Sequence, residues 1–256
     1  LRKNTRYVSI QLGIGGLKPF PAEMVMTSGF GDCKALSIYM QALLDVVGIR
    51  SEYLIVDTGR RNLMAGIYTV GQMDHAMLCV PMQKDTLWVE CTNPRLPIGY
   101  RHDNIAGHEV VLVGEDGGKK VRVRPYEDSL SYSVESVDVV LYDDGSAHCK
   151  GMRYLSLDQV EPYIGFADFS EKAKFNAVMG ANSLNPVDFK IDSVEDNFND
   201  WVDMDDGEEY VPHMQIGYSF GAYDYAKVSG DRIFLNLNPF AKQMHADRKP
   251  RVNDFV

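Results

Sequence analysis

The chain has 256 residues, 45% of them hydrophobic and 24% charged, which suits one large globular domain or two ordinary ones and excludes a disordered or collagen-like chain. A formal net charge of −10 argues against a nucleic-acid backbone as partner, because that affinity rests on lysines and arginines neutralising phosphates. No window approaches the run of about 18 apolar residues that a membrane-spanning helix needs.

The sequence opens LRKNTRYVSI, without Met or a signal-peptide pattern, and reads as a fragment or processed form. From Lys34, apolar residues recur at helical spacing (Leu36, Tyr39, Met40, Leu43, Leu44, Val47), and Gly48 supplies a stop. SEYLIVD (51–57) predicts a strand. DHAMLCVPM (74–82) and TLWVECT (86–92), joined by the polar QKD, predict an antiparallel hairpin buried on both faces. EVVLVGEDGGKKVRVRPY repeats the hairpin pattern with Asp-Gly-Gly as its turn, and its basic stretch GGKKVRVR reads as a solvated hairpin edge.

Near residue 128 the texture changes. SVDVVLYDDGSAHCKGMRYLS predicts a hairpin with an Asp-Asp-Gly turn, followed by helical stretches near 156–164 and 168–181. The segment from His213 to Phe240 reads as strand, Ser-Gly-Asp turn, strand. Residues 195–209 are strongly acidic and read as a solvated loop. They do not fit a calcium-binding EF-hand, since Met204 falls where a third-position ligand should be. The expected architecture is α+β, with an α+β domain over 1–127 and a mainly β module with a helical insertion over 128–256.

Four cysteines (Cys33, Cys79, Cys91, Cys149) show no CxxC pair and no metal-ligand spacing, so free thiols are expected, with no metal and no cofactor. Cys33 stands apart. It follows Gly29-Phe30-Gly31-Asp32 and opens the helical run, where unpaired N–H groups and the helix dipole favour a thiolate over a thiol. The glycines allow a tight turn and close approach of a substrate backbone. A buried helical cysteine is the plain alternative, Cys being among the commonest core residues.

A thiolate nucleophile works best beside an imidazole that a third group orients. Of six histidines, His102, His108, His148, His213 and His245 lie in polar or turn-rich surroundings and read as surface residues. His75 opens an apolar strand, where a lone imidazole costs desolvation without a partner. On the next strand Trp88, Glu90 and Thr92 share one face, and Glu90 is an acid inside an apolar run. His75 and Glu90 make better sense paired than alone. Asn93 is a second candidate orienter.

RYVSIQLGIGG, PFPAEMV and GFGDCKALS, then DHAMLCVPM, then LWVECTNP, together resemble the transglutaminase-like superfamily, which shares the papain-type core. The pattern looks like the transglutaminase-like domain of large bacterial envelope proteins, flanked there by β-sandwich domains. The resemblance covers about 1–127 and is weaker over 128–256, which looks like the β domain that follows. It implies Cys33 as nucleophile, His75 as general base and acid, and Glu90 as orienting carboxylate, although many members carry Asp at that place. It also implies a peptide or protein substrate, a periplasmic or envelope location, and a possible envelope partner through the β module.

For the oxyanion, the Cys33 backbone N–H is a natural first donor, and Tyr7 and Gln11 are candidates for the second. Trp88, Tyr68 and Phe30 are candidate aromatic walls, with Trp88 the candidate substrate contact. Lys34 reads as an exposed lysine that could otherwise assist the thiolate. Two outcomes stay open, hydrolysis being favoured over transfer to an amine, and a catalytically silent papain-like scaffold is the rival reading.

Overall fold

The computed structural model describes residues 1, 3–66, 69–180, 184–200, 209–237 and 239–240. Tyr68, Trp201, Met204 and His245, and with them most of the acidic 195–209 stretch, lie outside the described residues. The protein is α+β with antiparallel sheets, and its residues cluster into two units. The first comprises Leu1–Val134, Arg153–Gly165 and Val194–Gln215. The second comprises Glu135–Met152, Phe166–Ser193 and the chain from Ile216 on. This clustering follows packing rather than chain order. Residues 153–165 and 194–215, which the sequence assigns to the second module, therefore group with the first.

The first unit opens with β1 (Arg6–Tyr7) and α1 (Ala22–Ser28), then β2 (Phe30–Gly31) and α2 (Cys33–Val46). β1 runs parallel to β2, with Val8 N–H donating to the Gly31 carbonyl at 2.9 Å. Gly29 closes α1 at φ +70°, a left-handed cap that favours glycine. Gly31 is held for a different reason, since a Cβ there would sit 3.0 Å from the Ala35 Cβ. Asp32 caps α2, its Oδ1 accepting from Ala35 N–H at 3.0 Å. Gly48, at φ +76°, follows the helix end as its position predicts.

Next come β3 (Glu52–Val56), β4 (His75–Pro81), β5 (Thr86–Val89), β6 (Glu109–Gly114) and β7 (Gly117–Arg122). They form an antiparallel sheet in the order β5-β4-β3-β6-β7. The hairpin β4–β5 pairs Leu78 with Val89 and Cys79 with Trp88, and β4 is buried on both faces as its composition predicts. On one face Leu78 and Cys91 pack with Val25, Ala35 and Leu36 of the helices. On the other, Leu54, Val56, Met77, Cys79 and Trp88 pack with Ile105, Val110 and Val123. Each fully buried aliphatic side chain contributes about 1.5–3 kcal/mol, and this two-sided core is what makes the sheet rigid enough to carry a site. The β6–β7 turn is Glu115-Asp116, one residue earlier than Asp-Gly-Gly predicts, because Gly114 pairs with Gly117.

The second unit holds the larger part of a four-stranded sheet in the order β10-β11-β9-β8, from β8 (Ser133–Leu141), β9 (Ala147–Ser156), β10 (Val187–Asp196) and β11 (His213–Ala222). The Asp-Asp-Gly turn joins β8 to β9, with Gly145 at φ +84°. Helix α3 (Glu171–Met179) lies within the segment predicted helical, whereas the stretch near 156–164 is a 3-10 helix, Leu157–Tyr163, that contains Pro162. Phe175, Phe189, Tyr218 and Phe220 form an aromatic chain through this unit, and the Tyr218 hydroxyl donates to Glu135 at 2.7 Å. The terminal reading gains an element: β11 is followed by a separate hairpin, β12 (Ala226–Ser229) and β13 (Arg232–Leu235), turning at Gly230. Among the described residues no helix is long and apolar enough to cross a membrane.

Candidate functional site

Cys33 is the first residue of α2, His75 the first of β4, and Glu90 follows the last residue of β5. All three stand at ends of elements, so one end of the sheet collects them. His75 shares strand parity with Met77, and Glu90 shares it with Trp88, which turns both toward the same face. One helical turn past Cys33, the Ser37 hydroxyl donates to the Ala76 carbonyl at 3.2 Å and fastens α2 to the start of β4.

His75 Nε2 lies 2.8 Å from Glu90 Oε2, and Cys33 is close enough to the same imidazole to favour its charged form. With Nε2 committed to Glu90, Nδ1 is the nitrogen left for any further partner. Burial works against the imidazolium, but the Cys33 and Glu90 hydrogen bonds and their charges outweigh it and hold the His75 pKa up at about 10. Burial would likewise raise the Glu90 carboxyl, yet the nearby His102 imidazole and the bonds from His75 and Thr92 keep it well below the usual carboxylate range. Glu90 Oε1 accepts from Thr92 N–H at 2.6 Å and from the Thr92 hydroxyl.

Beside His75 and Glu90 opens a cavity of about 360 Å³. Its walls are largely polar, with Thr58, Asp74, Asn93, His102 and Glu161 prominent and no Lys, Arg, Phe, Tyr or Trp among the lining residues. Asp74 is braced by Thr58, whose N–H and hydroxyl both donate to it at 2.8 Å. Glu161 accepts from the Tyr100 hydroxyl at 2.6 Å. Asn93 lines the cavity and its Oδ1 accepts from Arg95 N–H at 3.3 Å. Cys33 is 6% exposed and is not part of this lining.

The remaining predicted site residues are dispersed. Trp88 is buried in the sheet core and does not line the cavity. Tyr7 is half exposed on β1, paired with Gly31 two residues before Cys33. Gln11 is exposed, its amide donating to the Ser9 hydroxyl at 3.5 Å. Phe30 is partly buried on β2.

Four sequence readings are corrected. Lys34 is buried, and its ammonium pairs with Asp32, the residue that caps α2. His108 is buried and its Nδ1 is 2.9 Å from the Asp57 carbonyl. His102 is 5% exposed, with Nε2 3.4 Å from Glu90 Oε2. The 102–108 loop looks solvated because it is rich in Gly, Asn and Asp. Ile105 is the missed signal: it enters the sheet core and draws both flanking histidines inward. Glu209, the end of the acidic stretch, pairs with the buried Arg101 and with Arg124 rather than standing free in solvent.

All four cysteines are free and buried. Burial pushes the Cys79 and Cys149 thiols up to about 11 and that of Cys91 up to about 12. Among the described residues no group of three or more His, Cys, Asp or Glu side chains is arranged to hold a metal ion. No protein-family model matches the chain, and neither a curated protein nor a solved structure matches it.

Proposed function

We propose that the protein is a cysteine-dependent acyl-transfer enzyme acting on peptide or amide substrates through Cys33, His75 and Glu90, with a core of the transglutaminase-like, papain-related kind. The observation that carries the reading is one imidazole, His75, at 2.8 Å from a buried carboxylate and near enough to a helix-terminal cysteine for that cysteine to favour its charged form. Sγ of Cys33 attacks the amide carbonyl carbon, and the oxyanion is met by the Cys33 N–H, which at a helix start has no intrahelical acceptor. The C–N bond breaks as His75 gives its Nδ1 proton to the departing amine, leaving a thioester. Water or a second amine, deprotonated by His75, then attacks the thioester carbonyl and releases the Cys33 thiolate, which recovers the starting pair. Hydrolysis is favoured over cross-linking, because the cavity beside His75 has polar walls and no Phe, Tyr or Trp to exclude water.

In this reading residues 1–127 carry the catalysis, the module from 128 on is accessory, and both belong to a bacterial envelope protein. One observation favours the rival, a silent papain-like scaffold: Cys33 is buried and stands outside the cavity lining. Site-resolved alkylation separates the two. Iodoacetamide should modify Cys33 rapidly at about pH 6, well below an ordinary thiol's range, and His75→Ala should abolish that reaction. A Cys33 that stays unmodified until about pH 8 or beyond removes the catalytic reading and leaves the scaffold.

A further inference from the structure

Glu90 is a longer carboxylate than Asp and has one more torsion to restrain, so something besides His75 must hold it. Its Oε1 is held by the N–H and hydroxyl of Thr92. Its Oε2 has two imidazoles before it, His75 Nε2 at 2.8 Å and His102 Nε2 at 3.4 Å. His102 Nε2 is buried and has no hydrogen-bond partner, with Glu90 Oε2 3.4 Å away. Its backbone carbonyl accepts from Ile105 N–H at 2.9 Å and Ala106 N–H at 3.0 Å, and Ile105 is anchored in the sheet core. The imidazole is therefore delivered by a fixed turn that brings Nε2 to Glu90.

We infer that His102 is a positioning residue of the Cys33–His75–Glu90 constellation, its Nε2–H holding Glu90 Oε2 from the side away from Thr92 so that the carboxylate stays in line with the His75 ring. The inference rests on the acyl-transfer reading. At 3.4 Å the contact is longer than a hydrogen bond, and catalytic contacts of this kind often tighten only in the reacting complex. His102 also lines the 360 Å³ cavity, so a substrate seated there presses on the same ring that holds Glu90. The other titratable or charged groups around the constellation are Asp32 and Lys34 on α2, Tyr53 on β3, Asp74 before β4, and Glu161 across the cavity.

The test compares His102→Gln with His102→Asn, two polar replacements of which only Gln reaches the place of Nε2 with an N–H donor. The readout is the pH profile of Cys33 modification by iodoacetamide. His102→Gln should keep the wild-type profile. His102→Asn should slow the reaction about tenfold at about pH 6 and leave it near wild type at about pH 9.5, where the thiolate forms without help from His75. A merely structural loss would lower stability without this pH dependence. Gln and Asn behaving alike, whether both as wild type or both impaired, overturns the role of His102. A wild-type Cys33 that is slow at about pH 6 overturns instead the triad reading on which the inference rests.

Discussion

Replacing Glu90 by Gln is the sharpest perturbation of the site, because shape is kept and only charge and donor pattern change. Every neighbour of the carboxylate is a donor: Thr92 N–H and hydroxyl at Oε1, His75 and His102 at Oε2. A Gln amide must put its NH₂ on one of these sides. The Thr92 backbone N–H cannot become an acceptor, so the carbonyl takes that side and the NH₂ faces the histidines. His75 Nε2 must then accept, which places the ring proton on Nδ1, the nitrogen that has to take the proton of Cys33. The lost bond is charge-assisted and worth about 1.5–3 kcal/mol, a factor of about 10–10² in the population of the working pair. The wrong tautomer adds to this, and in serine-protease triads the equivalent change costs about 10⁴ in turnover. Iodoacetamide modification of Cys33 at about pH 6, followed by mass spectrometry, should fall at least tenfold with the circular dichroism spectrum unchanged. An unchanged rate in a folded Glu90→Gln protein would refute the orienting role of Glu90.

Four further outcomes are expected. Cys79, Cys91 and Cys149, whose thiols burial lifts to about 11, 12 and 11, should stay unlabelled in the native protein through neutral pH, and labelling of any of them before Cys33 would contradict this packing. The His75–Glu90 pair should stabilise the fold in a defined window. The raised His75 pKa makes that contribution full below 6.5 and lost as pH rises through about 10, so the urea-midpoint gap between wild type and His75→Gln should shrink over that range, and a constant gap would refute it. Asp32→Ala removes the α2 cap and strands the buried Lys34 ammonium, a loss of about 3–5 kcal/mol that Asp32→Ala/Lys34→Met should partly recover; equal stability of the single and double variants in chemical denaturation would exclude a buried ion pair. In the second unit a Cβ on Gly151 would overlap the fully buried Tyr218 ring, so Gly151→Ala should lower stability by about 3 kcal/mol or more, and an unchanged melting temperature would count against that contact.

Short-range pattern carried much of this protein. Asp32 and Gly48 bracket α2, the alternation in 74–82 and 86–92 specifies β4 and β5, and Gly145 and Gly230 mark turns, because capping, strand parity and left-handed backbone are local properties. Parity also paired His75 with Glu90, since two costly polar residues on neighbouring buried strands satisfy one another. The tertiary structure decided what depends on distant partners. Lys34 is buried because Asp32, freed on one oxygen by its capping role, can neutralise it. His102 is buried because Ile105 fills a gap in a sheet core whose other members lie on β3 to β6 and at Val123 just past β7, and Glu209 finds Arg101 more than a hundred residues earlier. Trp88 went to the core for the same reason, its parity with Met77 and Cys79 placing it among apolar side chains that no local window contains. Burial of a polar side chain is set by which chain segments meet around it, and that meeting is a property of the whole fold.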